Sequence, residues 1–226
     1  MPLVIAITGK SDAGKTSLIK GLIPEMKRRG YKVAAVKNCP HGFDLDVEGK
    51  DSWHFTKAGA GGILLQSPSE LGLIRTKGNT VGSLNEVVKY YLADFDLVLA
   101  EGFAQDTSTR RIEVLRKGMS PELESPRERL VAIVTDFAFS IGKPTFKPTE
   151  LSELVDFIEK VMKEDKESKP YVELSINKKP VYLNEFAQSM IKGTITGLVA
   201  SLKREDKELR EIEIRIRPSE EVKKDE

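Results

Sequence analysis

Apolar residues fall along this chain in short blocks whose spacing alternates between strand and helix patterns. Residues 3–8 are β-branched and apolar, which predicts a strand. Across residues 16–29, Leu18, Leu22, Ile23 and Met26 recur at helical intervals and give one apolar face. Gly30 stands where a helix-ending glycine belongs, and Lys27, Arg28 and Arg29 complement the negative end of the helix dipole. Residues 31–36 are apolar again, so the opening of the chain reads as a βαβ unit. Further strands are expected at 62–66, 71–75, 95–100, 112–116 and 130–135, and helices at 84–92 and 151–163. This interleaving implies an α/β domain over residues 1–163, with a mostly parallel sheet flanked by helices. The middle strands could form an antiparallel edge.

The pattern changes after residue 163. The stretch KEDKESKP beginning at Lys163 is highly charged and has no apolar periodicity, so 164–170 reads as a linker. Residues 171–176 and 181–183 flank Asn177, Lys178, Lys179 and Pro180 as a hairpin. Asn184 is placed to cap a helix to about residue 203, and Ile212, Ile214 and Ile216 alternate with charged residues as a half-buried strand. Residues 171–218 thus read as a small α+β module of ββαβ order, with 219–226 expected to be disordered.

Composition narrows the function classes. Lys+Arg 36 against Asp+Glu 35 leaves a net charge of +1, so no global field points to nucleic acid or anionic lipid. The single cysteine, Cys39, cannot form an internal disulfide, which fits a reducing compartment. No run approaches the roughly 20 apolar residues needed to cross a bilayer, and the N-terminus lacks signal-peptide features. A cytoplasmic protein bound to neither membrane nor nucleic acid is the expectation.

The most specific chemistry lies at the end of the first strand. Gly9, Lys10, Ser11, Asp12, Ala13, Gly14, Lys15 and Thr16 follow the pattern of glycine, four residues, glycine, lysine and serine or threonine. Between a strand and a helix, the loop's backbone N–H groups and the helix N-terminus converge on phosphate oxygens. Lys15 is expected to reach the β- and γ-phosphates and Thr16 to ligate Mg²⁺. Ser17, in the same first helical turn, is counted with the nucleotide site. Lys10 has two readings. It is either a solvated lysine or the counterpart of the signature lysine that, in deviant Walker A loops, reaches a neighbouring subunit's nucleotide.

A phosphate loop also needs an acid near the metal, at the C-terminal end of a neighbouring strand. Glu101, followed by Gly102 and Phe103, closes the 95–100 run and is the Walker B candidate, whereas Asp96 begins that run, at the wrong end. Residues 37–52 form a long polar segment expected to extend over the phosphate site like a switch loop. In it Asp46 is a candidate catalytic acid beside the metal, Asp44 a candidate outer acid and Lys50 a candidate phosphate contact, each with a solvated or turn-forming alternative. Cys39, His41 and His54 fall short of a zinc cage in spacing and ligand number.

Three segments together resemble the molybdopterin-guanine dinucleotide biosynthesis protein B family, often called MobB. They are GKSDAGKTSL from Gly9, FDLDVEGKDS from Phe43 followed by the AGA of 58–60, and DLVLAEGF from Asp96. The resemblance covers about residues 1–163. It implies a dimeric, GTP- and Mg²⁺-binding accessory protein with weak GTP hydrolysis. Such a protein cooperates with the molybdopterin guanylyltransferase that joins GMP to molybdopterin, with molybdopterin itself a further candidate contact. The resemblance also places Asp136, after strand 130–135, near the nucleotide base, where a carboxylate could accept guanine N1–H and N2–H; a strand-end turn residue is the alternative. The chain departs from the family at Asn38 and Pro40, where histidines are common, and at Ala104, where a lysine commonly follows EGF. Arg110 or Arg111 could supply charge at that corner instead. A kinase or phosphotransferase with Glu101 or Asp46 as base, a metallochaperone GTPase and a non-catalytic interaction module are the competing classes.

Overall fold

The computed structural model describes residues 1–43, 46–75, 83–119, 122–168, 172–177, 179–203, 212–214 and 216. The chain divides into two compact units, Met1–Glu167 and Ser168–Glu226. No described helix is long and apolar enough to cross a membrane.

The first unit is built on a six-stranded sheet. Its strands are β1 (Leu3–Thr8), β2 (Val33–Lys37), β5 (Leu97–Glu101), β6 (Arg110–Leu115), β7 (Leu130–Thr135) and β8 (Thr145–Phe146), in the order β2-β5-β1-β6-β7-β8. Every pairing in this sheet is parallel. Strand β1 is fully buried along its length, as its unbroken apolar run requires. Helix α1 (Lys15–Arg28) lays Leu18, Leu22 and Met26 against one face of the sheet beside α4 (Leu151–Ser168), which contributes Leu154, Val155 and Ile158. Each such side chain contributes about 1.5–3 kcal/mol on burial. Helix α3 (Leu84–Tyr91), closed by a Ser83–Glu86 capping box, covers Val4, Val98 and Ala100 on the opposite face.

Helix α1 ends as the sequence predicts. The Gly30 N–H donates to Lys27 O at 3.0 Å and the Tyr31 N–H to Met26 O at 3.2 Å, while Gly30 takes φ +90°. This is a Schellman turn, which only a residue tolerant of the left-handed region closes without strain. Arg29 then binds Asp156, Glu159 (2.9 Å) and Glu25 (3.2 Å), fastening the end of α1 to α4.

In the first unit two local readings differ from the structure. The antiparallel pair foreseen at 62–66 and 71–75 forms, as β3 (Gly62–Gln66) and β4 (Leu71–Arg75), but as a separate ribbon rather than an edge of the main sheet. The charged stretch read as the start of a linker is helix through Ser168. Lys and Glu are strong helix formers, so a charged run can prolong a helix already nucleated by its apolar face. Helix α2 (Asp51–Lys57) and the short β8 were not foreseen.

The second unit contains the hairpin β9 (Leu174–Ile176) with β10 (Lys179–Val181), paired antiparallel, and helix α5 (Glu185–Ala200). Asn184 caps α5, its Oδ1 accepting the Ala187 N–H at 2.8 Å. Of the alternating run at its end, residues 212–214 and 216 are described and lie outside any strand. Residues 219–226 lie outside the described residues.

Candidate functional site: the phosphate loop and its acids

Strand β1 is the point where the sheet's connections change direction, with β5 on one side and β6 on the other. Open α/β sheets place ligands beyond the C-terminal ends of strands at such a point. The residues just past β1 are Gly9 to Gly14. Gly9 takes φ +125°, Asp12 φ +61° and Gly14 φ +103°, so the loop turns back on itself before entering α1. A Cβ on Gly9 would lie 2.3 Å from the Val114 carbonyl oxygen of β6, which leaves room only for glycine. At Gly14 the space is open and the backbone angle alone favours glycine.

Lys15 folds back over the loop, its Nζ donating to Gly9 O at 2.6 Å and to Lys10 O at 2.7 Å. Thr16 Oγ1 donates to Glu101 Oε2 at 2.8 Å, and Glu101 Oε1 lies 3.5 Å from Lys37 Nζ. Parallel pairing sets Glu101 opposite Ile7 of β1 and Lys37 of β2, so the ends of β5 and β2 bring carboxylate and ammonium together and the first turn of α1 adds the hydroxyl. Lys10 is half-buried and, with Ala13, Glu113 and Arg116, lines a small cleft beside the loop. Ser11 Oγ donates to Asp12 Oδ2 at 3.3 Å, and Ser17 is exposed in the first turn of α1.

The remaining sequence candidates occupy defined local positions. Asp46 Oδ1 accepts the Ser52 hydroxyl at 2.7 Å and the Val47 N–H at 2.9 Å, which anchors the approach to α2; its Oδ2 is buried with no hydrogen-bond partner. Lys50 is the N-cap residue of α2 and is exposed. Asp136 follows β7, and its Oδ1 accepts the Lys117 N–H at 2.7 Å, bridging the loops beyond β6 and β7. Asp44 lies outside the described residues. Among the described residues no three His, Cys, Asp or Glu converge as a metal cage, so Cys39, His41 and His54 do not assemble into one.

Sequence reasoning missed the polar layer beneath the site. Ile112 and Val114 of β6 face the α1 and α4 core, so Arg111 and Glu113 face the other way, and both are fully buried. Glu113 accepts the Glu124 N–H at 2.7 Å and the Ser125 N–H at 2.9 Å. The Ser125 hydroxyl shares a 2.8 Å hydrogen bond with Thr8, the residue before the phosphate loop. Arg111 Nη2 donates to the carbonyls of Phe103, Ala104 and Asp106, which pins the segment following Glu101. Arg110 is committed elsewhere, to Asp165 at 3.4 Å and the Val161 carbonyl at 3.2 Å. The available signal was the alternation of charged and apolar residues in the RRIEVL run.

The same segment is braced by Asp106. Burial raises its pKa, but hydrogen bonds from the side chains and N–H groups of Ser108 and Thr109 outweigh that, and the net shift is downward. Its folded-state pKa being depressed, Asp106 contributes stability above the ordinary carboxylate range and loses it as pH falls through the folded value.

Arg111→Met is expected to destabilise the first unit by about 2–4 kcal/mol, because three carbonyls lose their donor at once. The change should appear as a lower denaturation midpoint with faster amide exchange across 102–109. An unchanged midpoint would show that the arginine does not hold this segment.

The fold and phosphate loop fit many nucleotide-binding proteins, and the sequence comparison decides among them. Residues 4–136, more than half of the chain, match the family described as Molybdopterin guanine dinucleotide synthesis protein B. The chain belongs to the MobB family. The Molybdopterin-guanine dinucleotide biosynthesis adapter protein of Haemophilus influenzae is 32% identical over 157 residues, covering 69% of this chain and 87% of that protein. The adapter protein of the same name from Escherichia coli is 28% identical over 69% of this chain and 90% of its own length. A crystal structure of molybdopterin-guanine biosynthesis protein B superposes with a TM-score of 0.58 at 32% identity, over 71% of this chain and 99% of that one. The family match itself ends at residue 136, while the alignments to these relatives extend over 69–71% of the chain.

Proposed function

We infer that the chain is a GTP-binding accessory protein in the assembly of molybdopterin-guanine dinucleotide, with slow Mg²⁺-dependent GTP hydrolysis. The observation that carries this is the 2.8 Å contact between Thr16 and Glu101 at the mouth of a complete phosphate loop. Membership of the MobB family supplies the pathway.

The residues present fit a magnesium nucleotide. The glycine-permitted turn at Gly9 leaves no Cβ in the loop's tightest approach, and a hydroxyl beside a carboxylate offers the oxygen ligands that Mg²⁺ selects. Thr16 would hold the ion, with Glu101 and Asp46 acting on it directly or through water. The unpartnered, buried Oδ2 of Asp46 is an oxygen still in need of a cation or donor. Bound Mg²⁺ would neutralise charge on the β- and γ-phosphate oxygens. The chain's own part is positional. Backbone N–H groups from Lys10 to Ser17 cradle the phosphates, Lys15 leaves the Gly9 and Lys10 carbonyls for the phosphate oxygens, and Lys50 adds charge from the segment above. Glu101 orients the attacking water. Asp136 has one oxygen on the Lys117 N–H, and its carboxylate stands beyond β7 to accept guanine N1–H and N2–H.

Hydrolysis that rests on positioning and charge alone serves as a slow timer. The purpose of the bound state is presentation to the guanylyltransferase that joins GMP to molybdopterin, by a homodimer of this chain. Calorimetry should show Mg²⁺-GTP binding more tightly than Mg²⁺-ATP, and the GTP-loaded form binding purified molybdopterin guanylyltransferase. Equal affinity for the two nucleotides would remove the role of Asp136. Absence of binding to the transferase in every nucleotide state would remove the adapter reading.

Glu101→Gln keeps the shape of the Thr16 contact while removing its charge. Nucleotide affinity is expected to change by less than about threefold and turnover to fall about 100-fold, the range for a lost acid–base group. Single-turnover hydrolysis measures this, and an unchanged rate would take Glu101 out of the chemistry.

A further inference from the structure

Among the described residues of the second unit, helix α5 carries a large exposed apolar surface. On α5, Phe186, Met190, Thr194 and Leu198 are spaced four residues apart, and Leu202 continues the row just past the helix end. Residues so spaced form one ridge along a helix. Phe186 is 75% exposed, Met190 56%, Leu198 61% and Leu202 62%, while Tyr182, just ahead of the helix, is 93% exposed. Beside this ridge lie Gly193 and Gly197, where an added methyl group would meet no atom within 4 Å.

The face is uncharged as well as apolar. At 100° per residue, every position within about 100° of Thr194 is neutral. The charged residues of α5, Glu185 and Lys192, fall on the opposite side. Along the row itself side-chain size is nearly symmetric about Thr194, large at 186, 190, 198 and 202, with Gly193 and Gly197 on one flank and the half-buried Ile191 and Ile195 on the other. Two helices crossing at an angle come closest at one point and diverge from it. Small residues belong at such a crossing, and large ones fill the widening gap on either side.

We propose that α5 pairs with α5 of a second copy of this chain, antiparallel, about a two-fold axis at Thr194. An isologous contact of this kind sets Phe186 of one copy beside Leu202 of the other and Met190 beside Leu198. The neutral face brings no like charges together at the axis. The five row residues and Tyr182 expose on the order of 600 Å² of side chain per copy, at the upper end of what a monomer leaves bare. Two copies would bury on the order of 1,200 Å², the lower bound of a standard stable interface. Helix α5 belongs to the second unit and the phosphate-loop residues to the first, so α5 pairing and nucleotide binding are tested by separate measurements.

The chain's single cysteine makes a direct test possible in the full-length protein. In a Cys39→Ser background, Thr194→Cys is expected to form an intermolecular disulfide with oxidised glutathione at least tenfold faster than Phe186→Cys. Two copies of residue 186 would stand about 24 Å apart in the antiparallel pair, given 1.5 Å of rise per residue. A mixture of the Phe186→Cys and Leu202→Cys proteins should form the mixed dimer in preference to either self-dimer. Adding Gly197→Leu, which the open space on α5 accepts without a clash, should slow the Thr194→Cys reaction at least tenfold. Equal rates for Thr194→Cys and Phe186→Cys would overturn the proposal. So would hydrogen-exchange protection of 186–202 that does not change with protein concentration, since cover would then come from the same chain.

Discussion

Gly9→Ala is expected to cost about 3–5 kcal/mol of stability, more than any other single substitution in the phosphate loop. Two penalties coincide there. The backbone holds φ +125°, a region that L side chains rarely enter, and the new methyl carbon would sit 2.3 Å from the Val114 carbonyl oxygen. That oxygen belongs to β6, which is hydrogen-bonded on both sides, to β1 and to β7, so it cannot retreat without disturbing the sheet. Gly14→Ala provides the control. Gly14 also has a positive φ, +103°, but open space around it, so only the conformational penalty of about 1–2 kcal/mol applies. Denaturant titration of the two variants separates strain from collision. Equal losses would mean that the close approach of β6 does not fix the loop.

The contrast between these glycines shows what sequence can and cannot convey. Both match one spacing pattern, and the pattern marks both as phosphate-loop residues. It carries no information on which strand lies behind Gly9, because β6 enters the sheet about a hundred residues later. Elements with strong local signals were legible. Strands 3–8, 62–66, 71–75 and 130–135 coincide with the structure, since apolar runs bounded by turn residues define them locally. Helix α2 was missed because its residues, DSWHFTK, show only one buried position, Ser52, and so no apolar stripe to detect. The extension of α4 through residue 168 was missed for a related reason. Periodicity reports apolar faces, and the run KEDKES has no apolar residue to report one.

The candidate site divides in the same way. Thr16 and Glu101 were named from sequence and meet at 2.8 Å, because Thr16 opens α1 and Glu101 closes β5, element ends that the pattern located. Arg111 and Glu113 were not recognised as buried, since charged residues in a strand read as solvent-facing until both sides of the sheet are known to be covered. Their partners are backbone groups of loops at 103–106 and 124–125, and no sequence pattern specifies such pairings. The visible chemistry of the phosphate loop therefore rests on a hidden polar layer. Glu113 reaches Thr8 through Ser125 on one side, and Arg111 reaches the segment after Glu101 on the other.

Lys15→Ala is expected to lower GTP affinity about 100-fold, equivalent to about 2.7 kcal/mol, while the protein stays folded. In the present arrangement Nζ donates to Gly9 O and Lys10 O, carbonyls of the loop itself. These bonds hold the ammonium directly over the turn, so a short rotation of a flexible side chain exchanges carbonyl oxygens for phosphate oxygens. The ammonium's hydrogen bonds are charge-assisted with either partner, and the exchange adds a full negative charge on the acceptor. Lys15 is half-buried and outside the apolar core, so its removal should shift the denaturation midpoint by less than about 1 kcal/mol. The nucleotide series discriminates further. If the ammonium serves the β- and γ-phosphates, the variant should bind GTP and GDP weakly and GMP about as well as the unmodified protein does. Calorimetry with all three nucleotides reads the difference directly. A uniform loss would indicate a collapsed loop, and unchanged GTP affinity would mean that the phosphates do not sit beneath Lys15.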